Sequence, residues 1–157
     1  DVDYFISVSG PEPQRTKLEE IVLAQADRLA GKVVIALGNP DHAAVHARGN
    51  VEVYSYLDQA RQEEMTNRAK MMISRSGYTT IMEEAEIEVP RSLTIPTPGQ
   101  TEQEYLSRYY DQRRKAPWVS QYELNLERDI ARAAEYSGFR VPWRTEQSVA
   151  NFLKLCG

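Results

Sequence analysis

The first 95 residues alternate short apolar, β-rich runs with amphipathic stretches, and that alternation admits few architectures. Strand, crossover and strand in succession specify a parallel sheet covered by helices. Tyr4-Phe5-Ile6-Ser7-Val8 reads as the first strand, stopped by Ser9-Gly10-Pro11-Glu12-Pro13, where proline offers no ladder donor. Thr16 is placed to cap the helix that follows, with Glu19 three residues on as in a capping box. Leu18, Ile21, Val22, Ala26 and Leu29 recur at helical spacing as far as Gly31. Lys32 to Leu37 is apolar after its first residue, as a strand buried on both faces should be, and Gly38-Asn39-Pro40 ends it. A third strand is expected from Val51 to Leu57, a helix from Arg61 to Lys70 and a fourth strand from Met71 to Ser74. The turn Arg75-Ser76-Gly77 leads into a helix carrying Ile81, Met82 and Ala85, and Ser92 to Ile95 is the fifth strand. Beyond Pro96-Thr97-Pro98-Gly99 the pattern is helical, from Glu102 to Arg114, Tyr122 to Tyr136 and Thr145 to Leu155.

A chain of 157 residues can bury one sizeable core but not two. With 41% apolar and 27% charged residues its composition is globular, and a net charge of −4 disfavours general polyanion binding, so no nucleic-acid partner is expected. Cys156 is the single cysteine and cannot form an internal disulfide. No apolar run approaches the roughly 20 residues that span a bilayer, and cytoplasmic chemistry is the expectation.

In doubly wound sheets ligands bind beyond the carboxyl ends of the strands, where strand order reverses. In the order 3-2-1-4-5 the first and fourth strands meet at that point, and Ser9-Gly10 and Ser76-Gly77 follow these two strands. Glycine lets a backbone come close to a ligand, and the amides opening the helix after Gly77 form a partially positive end. A diphosphate between the two loops is the economical assignment; tight strand-to-helix turns are the competing one. Glu83 lies six positions past Gly77, about 9 Å along the helix, within reach of ribose hydroxyls. Glu84 and Glu86 read as a solvated helix face, and Arg15 reads as a surface residue before it reads as a phosphate ligand. After the fifth strand, Gln100, Gln103 and Glu104 offer the paired donors and acceptors that a polyhydroxyl ligand needs, although chemistry alone favours a helix cap built from Thr101 and Glu104. His42 and His46 stand four apart without a third ligand nearby, so they read as a solvated turn and no metal is assigned. Tyr105, Tyr109, Tyr110, Trp118, Tyr122, Trp143 and Phe152 read as core anchors, and Arg108, Arg113, Arg114 and Lys115 as part of a mixed solvated face.

Three segments, Ile73 to Ala85, Leu93 to Pro96 and Gln100 to Tyr105, together resemble the carboxyl-terminal, donor-binding domain of GT-B glycosyltransferases. The likeness is to family 28 and its MurG-like N-acetylglucosaminyltransferases, and it covers roughly residues 4 to 110. It implies a Rossmann-like α/β/α sandwich with a parallel sheet of five to six strands, followed by carboxyl-terminal helices. By the resemblance, the turn Arg75-Ser76-Gly77 with Thr79 and Thr80 holds a diphosphate, Glu83 binds ribose, and Gln103 with Glu104 binds the sugar. Tyr56 and Leu57 fall near the uracil, and Ser9-Gly10 takes the place of a first loop that usually has two glycines and a serine. Glu104 replaces the second residue of the family's glutamine pair, which implies a donor sugar or pose different in detail. The implied activity is transfer of a hexosyl or N-acetylhexosaminyl group from a UDP-sugar with inversion, requiring no cofactor and no metal. The general base and acceptor site would belong to an amino-terminal domain or partner subunit, which would also make any peripheral membrane contact. A chain opening directly on a strand is then expected to be a cut piece of that enzyme, binding donor without turnover. The alternatives are a non-catalytic nucleotide-binding subunit of a split glycosyltransferase and half of a UDP-sugar epimerase, although no histidine is placed near the sugar. A flavodoxin-like domain would want a Ser/Thr-rich first loop, which Ser9 to Pro13 is not.

Overall fold

The computed structural model describes residues 1–40 and 45–139. Six strands form one sheet: β1 (Val2–Ser7), β2 (Val33–Ala36), β3 (Val45–Arg48), β4 (Val51–Tyr54), β5 (Ala69–Ser74) and β6 (Arg91–Thr94). Their order is β3-β4-β2-β1-β5-β6, and every neighbouring pair is parallel except β3 with β4. Stripped of β3, this is the expected 3-2-1-4-5, with the reversal between β1 and β5. Phe5 pairs with Val34 on one side and Met72 on the other, so β1 is the central strand.

Alternation along the strands divides the core between two faces. Ile6, Ile35, Ile73 and Leu93 pack under α1 (Gln14–Gln25) and α5 (Leu126–Ala133) through Leu18, Val22, Leu126 and Ile130. Phe5, Val34 and Met72 face the other way and pack with Met65 of α2 (Gln59–Arg68), while Ile87, at the end of α3 (Tyr78–Ile87), closes the same cluster. The result is a three-layer α/β/α sandwich, the helix-covered sheet that the alternation predicts in the arrangement that the resemblance implies. All four residues of β2 are buried, which is why that run reads as continuously apolar. α4 (Thr101–Gln112) packs beside α3 through Ile81, Leu106 and Tyr110, with Tyr110 edge-on to Phe139 at 4.9 Å.

Several local expectations are corrected. Thr16 does not cap α1, which begins at Gln14; its hydroxyl instead donates to Glu12 within the first turn. Arg15 is buried, not on the surface: its guanidinium meets Glu12 at 3.0 Å and the Leu37 carbonyl at 2.8 Å. Residues 45–48 form a strand where a solvated turn was expected around His46; all four are exposed, leaving no apolar alternation to announce it. The stretch from Tyr122 to Tyr136 is a single 3-10 turn (Gln121–Glu123) followed by the shorter α5. Tyr122 is exposed and so is no core anchor. His42, Trp143, Phe152 and the helix expected from Thr145 lie outside the described residues.

Candidate functional site

The carboxyl ends of β1, β4, β5 and β6 deliver four loops to one edge of the sandwich. A cleft of about 360 Å³ opens there between α2 and α3. Its floor includes Ser7 at the end of β1 and Met72 of β5. Of the residues singled out in the sequence, it brings together Ser9, Tyr56, Leu57, Thr80 and Glu83. Leu57 is buried and Tyr56 half-exposed, so the mouth has an apolar lip with one aromatic ring standing free of the core. Glu83 is on the exposed face of α3 in its second turn, as its spacing from Gly77 requires.

Sequence reasoning missed the opposite wall, formed by Gln59, Gln62, Glu63 and Thr66 of α2. Their spacing of 0, 3, 4 and 7 is a polar stripe on one helix face, and that was the available signal. Apolar stripes mark the core, so a polar one reads as solvent unless a cavity lies beside it.

Around the cleft the glycines differ in kind. Gly10 has φ +115°, a conformation few other residues adopt, and a Cβ there would meet Thr97 Oγ1 at 3.4 Å and Arg75 Nε at 3.5 Å. Gly77 is the N-cap of α3 with φ −66°, open to any residue, and a Cβ would find only Thr80 Oγ1, 4.0 Å away. Nothing within the described residues therefore requires a glycine at position 77; the missing side chain leaves open space at the helix end. Among the described residues no side chain caps α3, and no acidic residue lies in its first turn, so within them the positive end of the helix faces that space uncompensated.

Arg75 lies behind these loops. Its Nε donates to the Ser9 carbonyl at 3.0 Å, Nη1 to the carbonyls of Ile95 and Pro96 at 3.2 and 3.3 Å, and Nη2 to that of Gln14 at 3.4 Å. The residue is 3% exposed, and burial pushes its pKa down to about 10, which still leaves it charged at neutral pH. Arg75 thus fastens the β1, β5 and β6 loops to one another with donors that the sequence assigns to a phosphate. Thr97 Oγ1, beneath Gly10, is buried without a hydrogen-bond partner among the described residues.

The remaining residues lie beyond Gly77, outside the cleft. Thr79 is exposed in the first turn of α3, whereas Ser76 is wholly buried and donates to the Gln103 carbonyl at 2.8 Å. Gln103 Oε1 accepts from the amide of Thr97 at 2.8 Å, and its Nε2 donates to Gln100 Oε1 at 2.8 Å. Glu104 Oε1 accepts from the amide of Gly99 at 3.1 Å. A cap does exist here, but Gln103 and Glu104 form it by reaching back to the loop; Thr101 is merely the first helical residue.

Glu84 is also corrected. It is 1% exposed, not solvated, and accepts hydrogen bonds at 2.9 Å from Ser74 of β5 and Ser92 of β6. Burial raises its pKa to about 7 against the pull of those two hydroxyls, with Glu83 adding to the rise.

The glycosyltransferase family 28 C-terminal domain model matches residues 8–138. No curated protein sequence matches the chain. Among solved structures it is similar to the glycosyltransferase SnogD from Streptomyces nogalater, with TM-score 0.63 and 14% identity over 98% of this chain and 42% of that one. The glycotransferase of kitacinnamycin aligns with TM-score 0.58 and 16% identity over 98% of this chain and 39% of that one. The glycosyltransferase VinC in complex with DTDP aligns with TM-score 0.59 and 15% identity, covering 84% of this chain and 32% of the other. The chain therefore spans well under half the length of these three structures, and at such identities they establish the shared fold.

Proposed function

The chain belongs to the glycosyltransferase family 28 C-terminal domains, and from that premise we propose that it is the donor-binding part of a glycosyltransferase, taking a UDP-sugar. One observation carries the proposal. At the strand-order reversal, a cleft holding Tyr56, Leu57, Thr80 and Glu83 adjoins an uncapped helix end where Gly77 leaves open space. A pyrimidine nucleoside fits the cleft, with Tyr56 and Leu57 at the base and Glu83 accepting hydrogen bonds from the ribose hydroxyls. The diphosphate then lies between Gly10 and the first amides of α3, held by Thr79 and Thr80, with Ser9 at the rim. Arg75 acts from behind, by fixing the loops and through its charge. The hexosyl or N-acetylhexosaminyl group extends toward Gln100, Gln103 and Glu104.

The chemistry follows from that pose. An acceptor oxygen attacks the anomeric carbon as the bond to the β-phosphate oxygen breaks, inverting the centre. The acceptor proton passes to a base on a domain or subunit outside this chain. Negative charge grows on the departing diphosphate, and the amides opening α3 are already oriented toward it, so they need no reorganisation as it leaves. This chain alone binds donor without turning it over, and any contact with a membrane belongs to the other half, on the cytoplasmic side.

A nucleotide panel tests the reading. Calorimetry with UDP, DTDP and GDP should show binding of the pyrimidine compounds, and Glu83→Ala should weaken UDP by about 5- to 150-fold, the worth of one or two lost ribose hydrogen bonds at about 1 to 3 kcal/mol. A folded chain indifferent to UDP at millimolar concentration defeats the assignment.

A further inference from the structure

A line of buried hydroxyls runs beneath the strand ends. Thr94, Ser107 and Ser76 are each 1% exposed or less. Thr94 Oγ1 lies 3.3 Å from Ser107 Oγ and 3.3 Å from the Pro117 carbonyl. Ser107 Oγ donates to Ser76 Oγ at 2.8 Å, and Ser76 Oγ donates to the main-chain carbonyl of Gln103 at 2.8 Å. The line ties the end of β6 and the β5–α3 turn to the first two turns of α4.

A serine hydroxyl has one proton. That of Ser76 goes to the Gln103 carbonyl, and its oxygen accepts from Ser107, so what remains is acceptor capacity. A phosphate oxygen is itself an acceptor and gains nothing from it. The bond to Gln103 does something else: it fixes the main chain from which the side chains of Gln103 and Glu104 depart. Those side chains in turn hold the amides of Thr97 and Gly99.

We infer that Ser76 is a positioning residue for the sugar end of the site: through the Gln103 carbonyl it sets the placement of Gln103 and Glu104, and Ser107 orients its hydroxyl for that bond. This rests on the donor-binding reading above. It separates Ser76 from its neighbours Gly77 and Thr79, and it makes two buried hydroxyls determinants of which sugar is accepted.

The test is calorimetry of the 157-residue chain and of Ser76→Ala, Ser107→Ala and the double variant, with UDP, UDP-glucose and UDP-N-acetylglucosamine. Both single variants should bind UDP within about threefold of the parent while losing about fivefold or more of the extra affinity conferred by the preferred sugar. The double variant should be no worse than either single one, because each cuts the same line. Should Ser76→Ala fail to fold, Ser107→Ala carries the test alone, since Ser107 is a buried residue of α4. A tenfold loss of UDP affinity in Ser76→Ala with none in Ser107→Ala would mean direct phosphate contact and overturn the inference. So would an undiminished sugar increment in the variants, or a parent chain that binds UDP but gains nothing from either sugar. A parent chain that binds no nucleoside diphosphate at all removes the donor-binding reading beneath it.

Discussion

Gly77 separates two reasons for using glycine. At Gly10 the backbone demands it, with φ +115°; at Gly77 the backbone is ordinary and the adjoining space is open. Gly77→Ala should therefore leave the melting temperature within a few degrees of the parent yet weaken UDP at least tenfold, because the added methyl group occupies the path of a phosphate. Unchanged affinity would show that no ligand approaches this residue. The place of Glu83 beside the cleft could be read from the sequence because its distance from a glycine turn along a helix is a fixed geometry. Arg15 and Glu84 could not. A charged letter reads as solvent, and only the fold reveals the Leu37 carbonyl waiting for Arg15, or the two serine hydroxyls waiting for Glu84. The contacts of Arg75 were not legible either, since the four carbonyls it holds come from the loops after β1 and β6, both distant in sequence from its own.

Among the elements, α3 carries most of the proposed donor contacts and rests on a buried carboxyl. Glu84 joins it to β5 and β6 through Ser74 and Ser92, with a pKa raised to about 7 from an ordinary 4.5. A carboxyl that binds its proton more tightly when folded contributes stability in full below pH 4.5 and loses it as pH rises through about 7. Relative to Glu84→Gln, the parent should thus lose up to about 3 kcal/mol between pH 4.5 and 8, read as diverging thermal melts. Parallel melting profiles would show that Glu84 is not the titrating group. The strands were legible because burial on both faces leaves unbroken apolar runs, as in β2. β3 was not, because an exposed edge strand is specified by pairing with β4 rather than by its own pattern. The start of α1 was misplaced for a related reason: Thr16 has the chemistry of a cap but serves within the first turn, held by Glu12.

At the scale of the molecule, the sheet order sets where everything else can be. Because the chain builds outward from β1 to β2 and β4 and then returns to β5, the β1 and β5 loops diverge and leave room between them. The alternation of strands and helices gave the parallel sheet, and taking the common 3-2-1-4-5 order for it gave the reversal, while the polar α2 wall needed the cleft to give it meaning. With a net charge of −4, the attraction for a diphosphate that we propose has to be local, with the α3 end and the buried Arg75 as its proposed source. A second groove, at the opposite ends of the strands and lined by Asp3, Lys70 and Arg91, is the internal control. The most direct measurement is a titration of UDP into the isotope-labelled chain, followed by amide NMR shifts. Saturable shifts should cluster at residues 9–10, 56–57 and 77–83, with smaller ones at 97–104 when a sugar is attached. Shifts confined to the groove around Lys70 and Arg91, or none at millimolar UDP, would rule out donor binding at the β1–β5 reversal.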